Sequence, residues 1–304
     1  MVRAKFRKFS SKDQSVSNLV FKIICCAVLV FYALTLIVSF GWGIMNSFKD
    51  PLDYAIDALG FPPQWTLANY AESFKYFYVG VQAGLGQRHV YIPEMILNTL
   101  LYAGGSAFLQ TFACCIMAYA CARFRYKICS VIYGLVLVVM MLPIVGALPS
   151  EVQMLRNLGL YDTIPGTWVL AFNFLGMYFL VFHAAFKSVP KDFSEAAFMD
   201  GASHSRVLFQ IMLPMVVPTC AVIFVLNFLA NWNDYSVHLI WLPSYPNLAL
   251  GLYLFQRTSI SGIDSVTQPQ MLAGFAIVMI PTVLLYLASQ NLIVSKFTVG
   301  GLKG

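Results

Sequence analysis

Long charge-free stretches alternate with short polar segments along this chain. The charge-free windows run over Ile23–Phe48, Met95–Ala122, Ile128–Ser150, Thr163–Phe186, Val207–Asn233 and Ser265–Ser295. A helix needs about 20 apolar residues to cross the roughly 30 Å hydrocarbon core of a bilayer, and each window can hold one. The pattern predicts an all-α, polytopic membrane protein with six transmembrane helices, each shorter than its window. A seventh charge-free window, Tyr235–Gln256, carries His238, Pro243, Pro246 and Asn247. Proline-rich backbone needs hydrogen-bond partners that lipid does not supply, so this window reads as an external or re-entrant segment. Pro143, Pro218 and Pro281 lie within or near spans and are candidate kink positions.

Composition agrees with the periodic reading. Hydrophobic residues make up 59% of the 304 residues and charged residues 11%, against about 25% charged in a soluble domain. The formal charge of +6 is mostly a topology signal. The N-terminal arm holds Arg3, Lys5, Arg7, Lys8, Lys12 and Lys22. The loops on the same side hold Arg123, Arg125 and Lys127, then Lys187, Lys191 and Arg206, and the tail holds Lys296 and Lys303. That is 14 of the 19 basic residues, whereas nine of the 13 acids fall on the other side. Basic loops stay in the cytoplasm, so both termini and the loop near residue 200 are predicted to be cytoplasmic. The long loop from about Lys49 to Glu94 is then external, a cap rich in prolines and aromatics. The chain divides at about residue 90, into an arm, first helix and external loop (1–90) and a core membrane domain (91–304). No helix-turn-helix or aromatic context accompanies the basic residues, so a nucleic-acid partner is excluded. The apolar run after Met-Val-Arg-Ala-Lys is too long for a signal peptide and reads as a retained first span.

Enzyme chemistry has no foothold in the sequence. No G-x-x-x-x-G-K-[ST] loop occurs, so the chain has no phosphate cradle of that kind. Neither H-E-x-x-H nor G-x-S-x-G occurs. His89, His183, His204 and His238 are scattered, and no metal site is expected. The seven cysteines form no C-x-x-C pair and read as small packing residues in helices.

The polar loop between the fourth and fifth windows holds the strongest pattern. Asp192 precedes Glu195 by three residues, the spacing of a capping box with Asp192 as cap. Phe193, Ala196 and Ala197 share one helical face, small enough for another protein to approach. Gly201 suits a left-handed C-terminal cap, and Ser203 can start a second short helix before Leu213-Pro214 re-enters the membrane. The expected product is a helix–glycine–helix elbow along the membrane surface.

The run Glu195-Ala196-Ala197, then Asp200-Gly201, nine residues, and Ile211, Leu213 and Pro214 resembles the EAA-x3-G-x9-I-x-L-P signature of permease subunits of binding-protein-dependent ATP-driven importers. Ser47-Phe48-Lys49, Asn69-Tyr70, Asn98-Thr99-Leu100, Ala122-Arg123-Phe124-Arg125, Leu158-Gly-Leu-Tyr-Asp-Thr163, Trp232-Asn233-Asp234 and the terminal Gly301-Leu-Lys303-Gly304 are similar to the carbohydrate branch, the MalG-like permeases. The resemblance implies a type I ABC importer permease fold in a bacterial plasma membrane, with Glu195, Ala196, Ala197, Asp200, Gly201, Ile211, Leu213 and Pro214 forming the ATPase-coupling loop. It implies a second homologous permease, two ATPase subunits that bind the ATP and magnesium, an extracellular sugar-binding protein, and a sugar or oligosaccharide substrate. No cofactor belongs to this chain.

Asn227, Asn231, Trp232, Asn233 and Asp234 cluster near the end of the fifth window and form the candidate substrate pathway, since amides and carboxylates suit hydroxyls and an indole face can stack on a sugar. Tryptophan at a bilayer interface and asparagine between helices are the structural alternatives. An ion-coupled secondary transporter is the competing function. Such pumps place ionisable groups within their spans, and here the spans are nearly free of them. A purely structural scaffold explains the hydrophobicity and leaves the loop unexplained.

Overall fold

A computed structural model of the chain describes residues 11–83, 86–124, 126–142, 146–261 and 266–297. Their order is α1 (Ser11–Ser47), α2 (Pro51–Ile56), α3 (Ala68–Tyr76), β1 (Tyr78–Ala83), β2 (Gly86–Tyr91), α4 (Ile92–Arg123), α5 (Lys127–Met141), α6 (Leu148–Asn157), α7 (Ile164–Ala171) and α8 (Met177–Ser188). They continue as α9 (Asp192–Met199), α10 (His204–Arg206), a π-helical segment (Val207–Met212), α11 (Leu213–Trp232), α12 (Ser236–Ile240), α13 (Leu248–Ser261) and α14 (Gln268–Phe297).

Among the described residues four helices are long and apolar enough to cross a membrane: Asn18–Ser47, Ile92–Arg123, His204–Trp232 and Gln268–Gln290. Neither of the other two windows holds a single helix of that length among the described residues, so six spans are not all matched by one long helix each. The third holds α5, only 15 residues long. The fourth is broken into α7 and α8. Asn173 makes the break: its N–H reaches back to the carbonyl of Ala171 at 2.7 Å, and its side-chain oxygen accepts the N–H of Leu175 at 2.8 Å. An asparagine that bonds its own neighbouring backbone competes with the helical ladder.

The all-α expectation is corrected at one place. Residues 78–91 form an antiparallel hairpin with Val79 opposite Val90 and Val81 opposite Arg88. Val79, Val81 and Val90 point inward and are buried, the period-two pattern of a strand pair with one face covered. Gly84 and Leu85 lie outside the described residues, as do Pro143, Arg125, the basic residues at 3, 5, 7 and 8, and the Gly301-Leu-Lys303-Gly304 terminus. Pro218 and Pro281 sit inside α11 and α14.

The core has two main centres at opposite ends of α4. Near its start, Phe77, Val79, Val90, Ile92, Met95, Trp232, Leu248, Phe255 and Val278 pack together. Near its end, Cys115, Ala118, Tyr119, Phe179, Phe182, Phe186, Ala197, Val207, Met212 and Ile223 do so. Between them α4 presents Ala103, Gly104, Gly105, Ser106 and Ala107, small residues that let helices meet closely. At Gly105 the fit is tight: a β-carbon there would stand 2.2 Å from the Trp168 indole of α7, whose Nε1–H donates to Leu101 O at 3.1 Å. All seven cysteines lie in helices and are unpaired, with Cys114, Cys115, Cys121 and Cys129 buried. His183 is buried and stacks on Phe179.

The segment after α1 is tied to that helix by polar contacts. Lys49 is buried, 1% exposed, and its ammonium donates to the carbonyls of Asp57 at 2.6 Å and Gly60 at 2.7 Å. The Asn69 amide donates to the carbonyls of Ser47 and Lys49 at 2.9 and 2.8 Å. The Ser47 and Tyr70 hydroxyls are 2.7 Å apart, and Phe48 packs between the rings of Trp65 and Tyr70. The Asp57 carboxylate accepts the N–H groups of Gly60 and Leu59, which hold its pKa below the ordinary value, with Lys49 helping. Two short motifs 20 residues apart thus form one knot.

Candidate functional site

The elbow forms as the glycine requires. Asp200 caps α9, Gly201 follows with φ +80°, and two N–H groups turn back onto the helix: Gly201 N to Phe198 O at 3.0 Å and Ala202 N to Ala197 O at 2.9 Å. This pair of bonds is the Schellman arrangement, which satisfies carbonyls a helix end leaves open. The Ser203 side chain then accepts the N–H of Arg206 and starts the next helix.

Three details differ from the sequence expectation. Lys191, not Asp192, occupies the N-cap of α9, and its side chain makes no cap bond. Asp192 sits one position inside, where its charge together with Glu195 favours the positive helix end. Ala197 turns toward the chain's own core. It is 8% exposed and packs there, because the helix must bury one stripe against its scaffold. The second helix is not a separate surface piece. It runs from His204 through the π segment into α11 as one continuous span. Ile211 and Leu213 pack against the core, whereas Pro214, in the first turn of α11, is exposed.

The outward face of α9 therefore comprises Glu195, Ala196, Met199 and Asp200, with Phe193 and Phe198 at its borders. Glu195, Ala196 and Asp200 are exposed, and Met199 is 88% exposed. Among the described residues the Glu195 carboxylate has no hydrogen-bond or ion partner. Phe193, Phe198 and Met199 are large apolar side chains on this exposed surface. Met199 was not singled out from the sequence. Its position four residues after Glu195 and three after Ala196 is the signal that places it on their face.

The second candidate cluster resolves into different roles. Asn227 is buried and donates to Thr111 Oγ1 at 3.3 Å, joining α11 to α4. Asn233 donates to Leu229 O at 2.8 Å and closes its own helix. The Asp234 carboxylate accepts the N–H of Ser236 at 2.9 Å and starts α12, while its backbone carbonyl accepts from Asn247 at 2.9 Å. Asn231 and Trp232 remain: Asn231 Nδ2 and Trp232 Nε1 are buried donors without a partner in the described residues. Buried donors are nearly always paired, so two adjacent orphans need an explanation.

The seventh window folds as α12, a turn and α13, packed against the other helices, and its backbone is caught from several sides. Asn98 donates to Pro246 O at 3.0 Å, and Thr99 Oγ1 accepts the N–H of Leu248 at 3.1 Å. Tyr161 donates its hydroxyl to Ile240 O at 3.1 Å. Asp162, in the left-handed region at φ 58°, takes Trp241 O with its N–H and the N–H of Ser244 with its carboxylate, at 3.1 and 3.0 Å. His238 is buried, donates from Nδ1 to Tyr245 O at 2.6 Å, and lies edge-on to Tyr102 at 4.7 Å. These contacts supply the partners that lipid would withhold.

Residues 111–299 match the family described as the binding-protein-dependent transport system inner membrane component. The chain is 27% identical over 284 residues to the diacetylchitobiose uptake system permease protein NgcG of Streptomyces coelicolor, covering 92% of this chain and 88% of that protein. It is 27% identical over 298 residues to the galactooligosaccharides transport system permease protein GanQ of Bacillus subtilis, covering 96% and 99%. In structure it superposes on a bacterial ABC transporter involved in importing the acidic polysaccharide alginate, with a TM-score of 0.68, 21% identity, and coverage of 94% of this chain and 99% of that one.

Proposed function

Because this chain belongs to the family of binding-protein-dependent transport system inner membrane components, we propose that it is the permease subunit through which an ATP-driven importer moves a sugar or oligosaccharide across a bacterial plasma membrane. A separate ATPase supplies the energy, and an extracellular solute-binding protein delivers the sugar. A second, homologous permease and two ATPase subunits complete the assembly. The observation that carries this reading is the elbow: a glycine-capped helix that shows Glu195, Ala196, Met199 and Asp200 to solvent and buries Ala197 against the membrane domain. Relatives named for diacetylchitobiose and galactooligosaccharide uptake support the sugar class.

In this reading Glu195, Ala196, Met199 and Asp200 seat in the ATPase, and Gly201, Ile211, Leu213 and Pro214 hold the seat to the span. The substrate pathway narrows to Asn231 and Trp232, whose unpaired donors become available when the helix ends part. Asn227, Asn233 and Asp234 shape that region. ATP binding draws the ATPases together, the elbow follows, and the spans rock between two openings, a rigid-body change of the kind packed interfaces permit. The chain makes no covalent change in its substrate.

The discriminating experiment uses the complete complex in proteoliposomes with labelled oligosaccharides of the chito- and galacto- series. Uptake is expected to require ATP and to survive an uncoupler that leaves ATP intact. Uptake that proceeds without ATP and collapses with the ion gradient would instead establish the secondary transporter.

Orientation has its own test. With 14 of 19 basic residues on one side, Ser203 is expected to be cytoplasmic. In a background without native thiols, Ser203→Cys should resist a membrane-impermeant maleimide in intact cells and react after permeabilisation. Labelling from outside would reverse the topology and remove the elbow from the ATPase.

A further inference from the structure

At the end of α4 farthest from the hairpin, two consecutive residues hold the elbow. Arg123 donates from Nη2 to the carbonyl of Val189 at 2.8 Å and lies with the same nitrogen 3.9 Å from the Met212 sulfur. Val189 is the C-cap of α8, where carbonyls lack helical partners and a cation is favoured. Met212 is the last residue of the π segment. One guanidinium therefore touches the chain just before the elbow and just after it. Its Nε is buried without a partner in the described residues, so this position is held against a desolvation cost.

Phe124, the C-cap of α4, makes the second contact. Four ring pairs join the elbow to the membrane helices: Phe198 to His204 at 4.9 Å, His204 to Phe124 at 5.5 Å, Phe124 to Tyr119 at 6.1 Å, and Tyr119 to Phe186 at 5.4 Å. All four are edge-on, with interplanar angles from 65° to 84°, the geometry that ring quadrupoles favour. The series starts on the border of the outward face of α9, passes through α10, and ends on α4 and α8. Helix α4 in turn packs on α7, α8 and α11. A displacement of α9 thus reaches the Phe124 ring at the end of α4 through His204, as well as the π segment on which α9 packs.

We propose that Arg123 and Phe124 are a positioning pair that carries the elbow's displacement into α4, and through α4 into the other helices. This rests on the importer reading above. It adds a second route to the covalent one through the π segment. A covalent route alone would let a bendable π turn absorb the movement, whereas the side-chain clamp forces α4 to move with the elbow. Packed networks of this kind have changed coupling by roughly 2- to 30-fold when altered.

The test uses the assembled complex, in a cysteine-free background, with nitroxide labels at Ser205→Cys and Phe112→Cys. Both positions are exposed, on α10 and α4. In the parent complex the label distance should stay constant to about 2 Å between nucleotide-free and ATP–vanadate states, the scale of concerted helix shifts. Arg123→Gln should make that distance depend on nucleotide and lower sugar uptake per ATP hydrolysed by roughly 2- to 30-fold. Arg123→Lys, which keeps a donor for Val189, should restore most of the loss. In a double-mutant cycle, Phe124→Leu and His204→Leu should together cost less than the sum of each alone. A nucleotide-independent distance and parental uptake per ATP in Arg123→Gln would overturn the proposal. So would Arg123→Lys failing equally with loss of assembly, the behaviour of a plain fold anchor. If Arg123→Gln does not assemble, the ring cycle decides, and strict additivity overturns the proposal. Failure of the parent complex to import sugar would sink the importer reading alone, since the distance measurement needs no sugar.

Discussion

Replacing Gly201 with valine is expected to leave the permease in the membrane and to strip it of stable ATPase docking. Gly201 sits at φ +80°, and a β-carbon there would meet nothing within 4 Å. The penalty is therefore purely conformational. A β-branched residue held in the left-handed region costs about 1–3 kcal/mol. The chain escapes it by opening the bonds from Gly201 and Ala202 back to Phe198 and Ala197, which releases Ala197 from the core and tilts α9. An energy of that size corresponds to roughly a 5- to 150-fold loss of affinity. Glu195→Ala removes a carboxylate that, among the described residues, is unpaired within the chain, so its effect should fall on docking and spare the fold. One partner lost from a buried interfacial pair costs about 2–5 kcal/mol. Glu195→Asp should be milder, and the exposed Gln210→Ala should do little. Co-purification of the ATPase and its sugar-stimulated hydrolysis are the readouts. If Gly201→Val and Glu195→Ala both dock and couple like the parent, the elbow is only a connector.

The second large effect is expected at Lys49. Lys49→Met keeps the buried stem and removes the ammonium, so the carbonyls of Asp57 and Gly60 lose their donor. A buried acceptor left unpaired costs about 1–3 kcal/mol, and two are affected. The segment from Pro51 to Thr66 should come loose from the end of α1, with Trp42 losing its bond to Ala58 O and Phe48 its backbone bond with Thr66. The purified complex should show early proteolytic cuts between residues 51 and 66 and a lower thermal midpoint. Lys49→Arg should not restore the parent behaviour fully, because a planar fork fits differently between two carbonyls that one ammonium now reaches. A Lys49→Met protein with parental cleavage and midpoint would mean that water replaces the ammonium without loss.

The motifs that carried the family resemblance read very differently once folded. Ser47-Phe48-Lys49 and Asn69-Tyr70 are far apart along the chain and form one knot. Asn98-Thr99, Tyr161-Asp162 and Asp234 all hold the segment from residue 236 to 250. Sequence spacing marks such residues as unusual and is silent on their partners, because every bond spans a distance along the chain that no local rule covers. The substrate cluster shows the same limit. Five polar residues in eight positions looked alike in sequence. Asn227 bonds Thr111 of α4, Asn233 bonds Leu229 O of its own helix and Asp234 accepts the N–H of Ser236, whereas Asn231 and Trp232 have buried donors without a partner among the described residues.

What the sequence determined by itself is the membrane class, four of the six expected spans as full-length helices, and the elbow with its glycine turn. These depend on hydrophobic length and on a backbone conformation that glycine reaches without strain, both local properties. Tertiary structure alone decided that the third window is short, that the fourth is broken at Asn173, that a hairpin caps one end, and that Ala197 faces inward while Met199 faces out. Each depends on which surface a residue meets across the fold. An apolar run is equally content in lipid, in a neighbouring helix or in a strand pair, so only the packing partners choose among them.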